Sequence, residues 1–226
     1  MLSLLLPRRC VHCDRPSITS RVRSDYPLAD YLCEVCSRIL ESDEPPNAQS
    51  LQQQFLRVSD FDVQTLVTVF TFIPESPVQS LIHSLKYSGM VRLARRLGAF
   101  ASELAPAEVD CIVPVPLHRT RHATRGYNQA EAIADGLAKL RHVEVIRATK
   151  RTRPTPTQTK LSLPERVENM RDAFALTRHA HHIAGKNILI VDDVMTTGAT
   201  LASVAGTLVT ANPKSISILA LAAVTA

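Results

Sequence analysis

Apolar positions change their period several times along the chain, and each change marks an element. Residues 63–72 (VQTLVTVFTF) crowd β-branched and aromatic side chains together and predict a strand, which Pro74 and Pro77 close. From residue 79 to about 104 the spacing turns helical, with Leu81, Ile82, Leu85, Leu93 and Leu97 on one stripe and Gly89 placed to interrupt it. An apolar run at 112–115 follows, then a polar basic loop, an Ala-rich helix over about 129–140 and a weak strand at 143–146. The chain ends on a buried strand at 187–191, a helix over about 199–210 and a last apolar run at 216–224. Strands alternating with helices predict an α/β fold with a mostly parallel sheet, whose ligands bind at the C-terminal ends of the strands.

Two stretches fall outside that rhythm. Residues 41–54 (ESDEPPNAQSLQQQ) are polar with a Pro-Pro pair, so 46–60 reads as a linker between an N-terminal unit, 1–45, and a main domain, 61–226. Residues 149–171 are basic and rich in Pro and Thr, and too long for an ordinary connector in a compact domain; stretches of this kind are usually lids or binding loops.

The N-terminal unit holds four of the five cysteines. Cys10 and Cys13 form one C-x2-C pair, Cys33 and Cys36 another, with 19 residues between them. Each pair can grip one edge of a thiolate tetrahedron, so the spacing predicts a structural four-cysteine zinc site with no open coordination position. Disulfides or a redox C-x-x-C are the competing readings, and an intracellular compartment disfavours the first. His12, between two ligands, is expected to be exposed, and Cys111, alone in an apolar run, to be a core thiol.

Composition narrows the class without naming a partner. With 226 residues, 45% of them hydrophobic and 21% charged, the chain has enough apolar surface for a core, which excludes global disorder. The first apolar run, 2–6, stops at Pro7, far short of the roughly 20 residues of a membrane span, and lacks the flanks of a signal peptide; a cytoplasmic protein without membrane contact is expected. The net charge of +5 gathers in 118–122 (HRTRH) with Arg125, and in Arg147, Lys150, Arg151 and Arg153. These are either solvated loops or contacts for a phosphorylated ligand or a nucleic-acid backbone. With four Tyr, six Phe and no Trp, platforms for stacking bases are sparse.

Residues 188–201 (ILIVDDVMTTGATL) carry the most chemistry. Four apolar residues form a strand, Asp192 and Asp193 stand at its end, and a small-residue loop leads into a helix. Thr196, Thr197, Gly198, Ala199 and Thr200 would place backbone N–H groups and hydroxyls around a phosphate, with Gly198 allowing close approach. Adjacent carboxylates accept hydrogen bonds from vicinal ribose hydroxyls, or hold Mg2+ through water. An α/β strand that merely ends in Asp and is capped by Thr is the bland alternative.

This stretch resembles the phosphoribosyl pyrophosphate motif of type I phosphoribosyltransferases. With the cysteine pairs and the segments 85–89 (LKYSG), 113–119 (VPVPLHR), 125–129 (RGYNQ) and 158–162 (QTKLS), the chain resembles the ComF family, also called ComFC or GntX-like proteins, over nearly its whole length. The resemblance implies a type I phosphoribosyltransferase fold behind a zinc-binding unit. It also implies ribose hydroxyls on Asp192 and Asp193, the 5′-phosphate in the 196–200 loop, His118 and Arg119 facing the diphosphate, and a mobile loop over 153–171, with Arg151 and Arg153 at its entry. Phosphoribosyl pyrophosphate with Mg2+ would be the ligand. Single-stranded DNA and DNA-processing competence proteins are the further partners that the family's association with natural transformation implies. Lys86 and Tyr87 belong either to a hood over the base site or to an ordinary helix end. Two functions stay open: a phosphoribosyltransferase displacing pyrophosphate at C1 of ribose, for which no general base stands out, or a module that binds a phosphoribosyl ligand or DNA.

Overall fold

The computed structural model describes residues 9–17, 28–154, 165, 170 and 172–224. Their elements run α1 (Glu34–Glu41), α2 (Ala48–Leu56), β1 (Thr65–Thr71), α3 (Pro77–Tyr87), α4 (Val91–Ala101), β2 (Cys111–Pro114), α5 (Arg119–Arg125) and α6 (Gln129–Arg141). Then come β3 (Glu144–Val145), β4 (Thr149–Arg151), β5 (Phe174–Leu176), a 3-10 turn (Ala180–Ile183), β6 (Asn187–Met195), α7 (Ala199–Val209) and β7 (Ser215–Ala223).

Five strands form a parallel sheet in the order β1-β7-β6-β2-β3. A parallel sheet needs cover on both faces, and the long runs of β6 and β7 are buried almost throughout, as that requires. Alternation sorts their side chains. Ile112, Leu189, Val191, Leu219 and Leu221 face one cluster with α3, α4 and α6, while Val113, Ile188, Ile190, Ile216 and Ile218 face the other with α2 and α7. Cys111 is fully buried in the second cluster, and burial pushes its thiol up to about 11, as a core thiol should be.

Local chemistry explains the breaks. Ser76 caps α3 by accepting from the Gln79 N–H at 3.3 Å, with Pro77 in the first turn. Gly89, at φ 63°, ends the stripe where interruption is expected and separates α3 from α4. The 46–60 stretch, expected as a linker, contains α2: Asn47 caps it, and Leu51 and Phe55 are buried against the sheet. The basic segment expected as a loop is a short helix, α5, closed by Gly126 at φ 78°. It buries no residue, so it has no apolar stripe to read. β4 and β5 pair antiparallel apart from the main sheet, and most of the 153–171 loop lies outside the described residues.

The cysteine unit does not hang free. Cys10, Leu28, Leu32, Cys33, Cys36 and Leu40 belong to the same hydrophobic cluster as α3, α4 and α6, and His12 Nδ1 lies 2.9 Å from Ser80 Oγ on α3.

Helices α4 and α6 approach so closely that two glycines face each other's backbone. A Cβ at Gly98 would overlap the Ile133 carbonyl, and one at Gly136 the Arg95 carbonyl. Helix propensity alone favours Ala over Gly by about 1 kcal/mol, but a methyl here forces the helices apart, an overpacking cost of about 1–3 kcal/mol or more. Gly98→Ala is therefore expected to lower the melting temperature measured by scanning calorimetry; an increase would show that the helices separate at no cost.

Candidate functional site

Strand lengths create the site. β6 pairs with β2 only as far as Val191 but with β7 as far as Met195. From Asp192 onward β6 therefore has a strand partner on one side alone, and the open side faces a cavity of about 590 Å³. Asp192 and Asp193 both line it, with Thr196 and Thr200. The strand is longer than its apolar run predicts, so the carboxylates sit inside β6 rather than beyond its end.

The two carboxylates have different surroundings. Asp193 is buried and pairs with Lys86 Nζ at 3.2 Å, so the end of α3 supplies its counter-charge. An Asp192 carboxylate oxygen accepts from the Asp193 N–H at 2.8 Å. Burial, then the adjacent Asp193 charge, push the Asp192 carboxyl up to about 7, against the pull of that N–H, Lys86 and Arg151.

Beyond β6 the chain turns into α7 through Gly198 at φ 86°, a conformation open to glycine. Its missing Cβ would meet Met195 and Val58, so the turn is also tightly backed. The first N–H groups of α7 lack helical acceptors, and of these Ala199 N–H finds only a long contact, 3.5 Å, with Thr197 Oγ1. The loop is held from outside by Gln54 of α2, whose side-chain amide donates to the carbonyls of Thr196 and Val224. Nothing in the polar run around Gln54 signals that role, which depends on α2 lying under the loop.

Four cations line the cavity: Lys86, Arg121, Arg125 and Arg151. Arg121 and Arg125 stand four apart on α5 and so share a face. His118 instead caps α5, its ring nitrogen accepting from the Thr120 N–H at 3.3 Å, and Arg119 is exposed; neither is among the lining residues. Arg151 lies over the Phe174 ring at 5.3 Å, and burial lowers its guanidinium to about 10. Arg153 is exposed where the described part of the loop stops.

The 125–129 segment braces this wall. Tyr127 Oη and Gln129 Nε2 both donate to the Leu85 carbonyl, at 2.6 and 3.2 Å, satisfying an acceptor in the last turn of α3. Buried Asn128 caps α6 through its oxygen and donates to the Val115 carbonyl at 3.0 Å. Arg125 stacks over Tyr87 at 5.6 Å.

At the other end of α3, the four cysteine sulfurs all lie within 4.8 Å of one another. Cys13 Sγ is 3.5 Å from Cys33 Sγ and 3.7 Å from Cys36 Sγ. Those separations exceed a disulfide bond of about 2.05 Å. They match the edge of about 3.8 Å that four metal–sulfur bonds of about 2.3 Å require. Burial opposes ionisation of Cys10, but the N–H groups of Cys13, Cys33 and His12 outweigh it and bring the thiol down to about 7, whereas burial and the neighbouring sulfurs push the Cys36 thiol up. The donor set fits one tetrahedral metal ion.

Comparison with known proteins shows the family. A family model, the phosphoribosyl transferase domain, matches residues 87–226, more than half of the chain. The DNA utilization protein YhgH of Escherichia coli (strain K12) is 34% identical over 195 residues, covering 77% of this chain and 82% of that protein. Competence protein F of Haemophilus influenzae is 37% identical over 93 residues, 41% of each chain. Competence protein ComFC of Bacillus subtilis is 32% identical over 100 residues, 44% of this chain and 38% of that one. This chain belongs to the ComF family of phosphoribosyltransferase-fold proteins. Among solved structures, the allosteric regulatory enzyme of purine biosynthesis aligns with a TM-score of 0.41 at 18% identity, over 56% of this chain and 25% of that one. Helix α3 runs between the cysteine cluster and the carboxylate cavity, with Ser80 near its start meeting His12 of the first cysteine pair and Lys86 near its end pairing with Asp193. No helix among the described residues is long and apolar enough to cross a membrane.

Asp192 gives a pH test. Its carboxyl is raised from 3.8 to about 7, so between those values the unfolded chain has released a proton that the folded protein keeps. Stability then falls as pH rises through that window, with the full loss above about 7. Asp192→Asn escapes the penalty: its melting temperature should exceed wild type at pH 8 and converge on it toward pH 4. An equal gap at both pH values would show that Asp192 ionises freely.

Proposed function

We propose that the cavity at the end of β6 binds phosphoribosyl pyrophosphate with Mg2+, and that the protein handles a phosphoribosyl ligand as part of DNA uptake or DNA use in the cytoplasm. The observation that carries this reading is the overhang of β6. It brings two carboxylates to the wall of a cavity whose far side is the Thr196–Thr200 loop and whose rim carries four cations. Vicinal hydroxyls suit the carboxylates, a 5′-phosphate suits the N-terminus of α7, and a diphosphate suits guanidinium groups. Mg2+, when bound, neutralises diphosphate charge and polarises the bond to C1.

This chain's own groups would divide the work. Asp193 arrives at the ligand already charge-balanced by Lys86, so a ribose hydroxyl or Mg2+ competes with an ammonium group for it. Arg121, Arg125 and Arg151 would bind and orient the diphosphate oxygens, with His118 and Arg119 reaching it only if α5 moves. Arg151, enclosed by the cavity and by Phe174, suits a small ligand better than a DNA backbone. The names of the relatives, DNA utilization protein and competence protein, support the DNA context.

The cysteine cluster is proposed to hold one structural zinc ion. Its place in the shared core means that metal there stabilises the base of α3 rather than a separate appendage.

Isothermal titration with phosphoribosyl pyrophosphate and Mg2+ tests the cavity. Wild type should bind, and Asp192→Asn/Asp193→Asn should bind at least tenfold more weakly while keeping the wild-type circular dichroism spectrum. Equal affinity in the folded variant would place the ligand elsewhere. For the cluster, elemental analysis should find one zinc per chain, lost in Cys33→Ser together with several degrees of melting temperature; full zinc content in that variant would remove Cys33 from the site.

A further inference from the structure

The carboxylate cavity carries a cation of its own at Asp193. Lys86 Nζ lies 3.2 Å from Asp193 Oδ2, and the two side chains are only 26% and 12% exposed. A pair this far out of water is not a screened surface contact; each charge relies on the other for compensation. Helical phase brings the lysine there. Gln79, His83 and Lys86 stand at i, i+4 and i+7 of α3 and all line the cavity, while Val78, Leu81, Ile82 and Leu85 are buried. The lysine stem also starts from a fixed point, because the Leu85 carbonyl accepts from Tyr127 Oη at 2.6 Å and from Gln129 Nε2 at 3.2 Å. Four methylenes on a held backbone let the ammonium leave Asp193 without any movement of the helix.

A divalent ion on Asp193 would compete for the same ground. Mg2+ binds a carboxylate oxygen at about 2.0–2.1 Å and surrounds itself with a near-octahedral shell whose neighbouring oxygens are about 3 Å apart. An ammonium 3.2 Å from Oδ2 stands within the reach of such a shell and carries like charge. Asp192 is a poor alternative, since one of its oxygens already accepts the Asp193 N–H at 2.8 Å. Arg121, Arg125 and Arg151 line the same cavity and repel a free dication further. A diphosphate reverses that balance: it supplies oxygens to which the ammonium can move, and it can carry its own Mg2+.

We propose that Lys86 is the residue that sets metal entry at the carboxylate cavity: its ammonium is a built-in counter-ion that keeps free divalent cations off Asp193 and moves to the diphosphate when ligand binds. The ribose hydroxyls then take the carboxylate that the ammonium leaves. Lys86 is thus a positioning residue for the Asp pair and a specificity determinant for the form of the ligand, metal-bound rather than metal-free. The second step rests on the phosphoribosyl reading of the cavity; exclusion of free metal depends on Lys86 and Asp193 alone.

The probe is Mn2+, which takes the same octahedral oxygen shell as Mg2+ and whose free form is read by electron paramagnetic resonance. Titrated into the full chain as purified, without phosphoribosyl pyrophosphate, it should stay free of wild type. Lys86→Met and Lys86→Gln should each bind one equivalent at least about tenfold more tightly, because a buried carboxylate that loses its partner recruits another cation. Two neutral replacements are used so that a fold lost in one leaves the other readable by circular dichroism. Adding Asp193→Asn to either should abolish the gain. Lys86→Arg should stay at the wild-type level, a rescue by charge that a purely structural role for the side chain would not give. Phosphoribosyl pyrophosphate should then bring Mn2+ onto wild type. Mn2+ bound by wild type as tightly as by the neutral variants, or a gain that survives Asp193→Asn, would overturn the proposal. If phosphoribosyl pyrophosphate does not bind, the ligand reading falls, and the titration without it still decides whether Lys86 excludes metal.

Discussion

The pairing of β6 with β7 carries the molecule. It is the longest register in the sheet, and both strands are buried nearly end to end. Because β2 stops at Pro114 while β7 continues to Ala223, β6 is held straight on one side and left open on the other for its last residues. A carboxylate pair on an unsupported loop would splay apart, whereas two adjacent residues on a paired strand keep their spacing. The same continuity aims α7 at the ligand region, since its N-terminus begins four residues past the point where Met195 meets Ala223.

Helix α3 then links that site to the cysteine cluster. At its start, Ser80 meets His12 of the first knuckle; at its end, Lys86 neutralises Asp193 and Tyr87 borders the cavity. Tyr127 and Gln129 hold the Leu85 carbonyl, so the last turn is fixed from the α6 side as well. The anchors Ser80 and Lys86 are thus under two helical turns apart, joined by a rigid element with buried Leu81, Ile82 and Leu85 along one side. Loss of the cysteine cluster's packing against α3 would loosen that helix and, through it, the ammonium group on Asp193.

What was legible in the sequence was what local pattern controls. The strand at 63–72, the helical stripe broken at Gly89, the strand–loop–helix at 188–201 and the two cysteine pairs all state their structure within a short window. The structure departs from those expectations where the deciding partner is distant. Helix α2 hides in a polar stretch because Leu51 and Phe55 alone carry its burial, and Gln54 acquires its role only from the loop beneath which α2 packs. Segment 119–125 has no buried residue, so it offers no helical stripe, and without the helical phase Arg119 and Arg121 are indistinguishable; only the phase turns Arg121 and Arg125 inward. The open edge of β6 depends on how soon β2 ends, which no property of residues 188–195 encodes.

The charge distribution follows the same division between local and distant. Positive charge clusters in sequence at 118–125 and 147–153, but in space it collects around two openings, and Arg92, Arg95 and Arg96 join Arg9 from the far side of the cysteine pairs. In the cavity that these arginines line, three of the four guanidinium groups, those of Arg9, Arg95 and Arg96, already pair with Asp14, Asp135 and Asp30. In the carboxylate cavity Asp192 and Asp193 offset at most two of the four cations before any ligand arrives, so carboxylates and surplus positive charge stand side by side. A pocket that sets carboxylates beside surplus cations favours a ligand bearing both hydroxyls and phosphates, because each group finds its complement there.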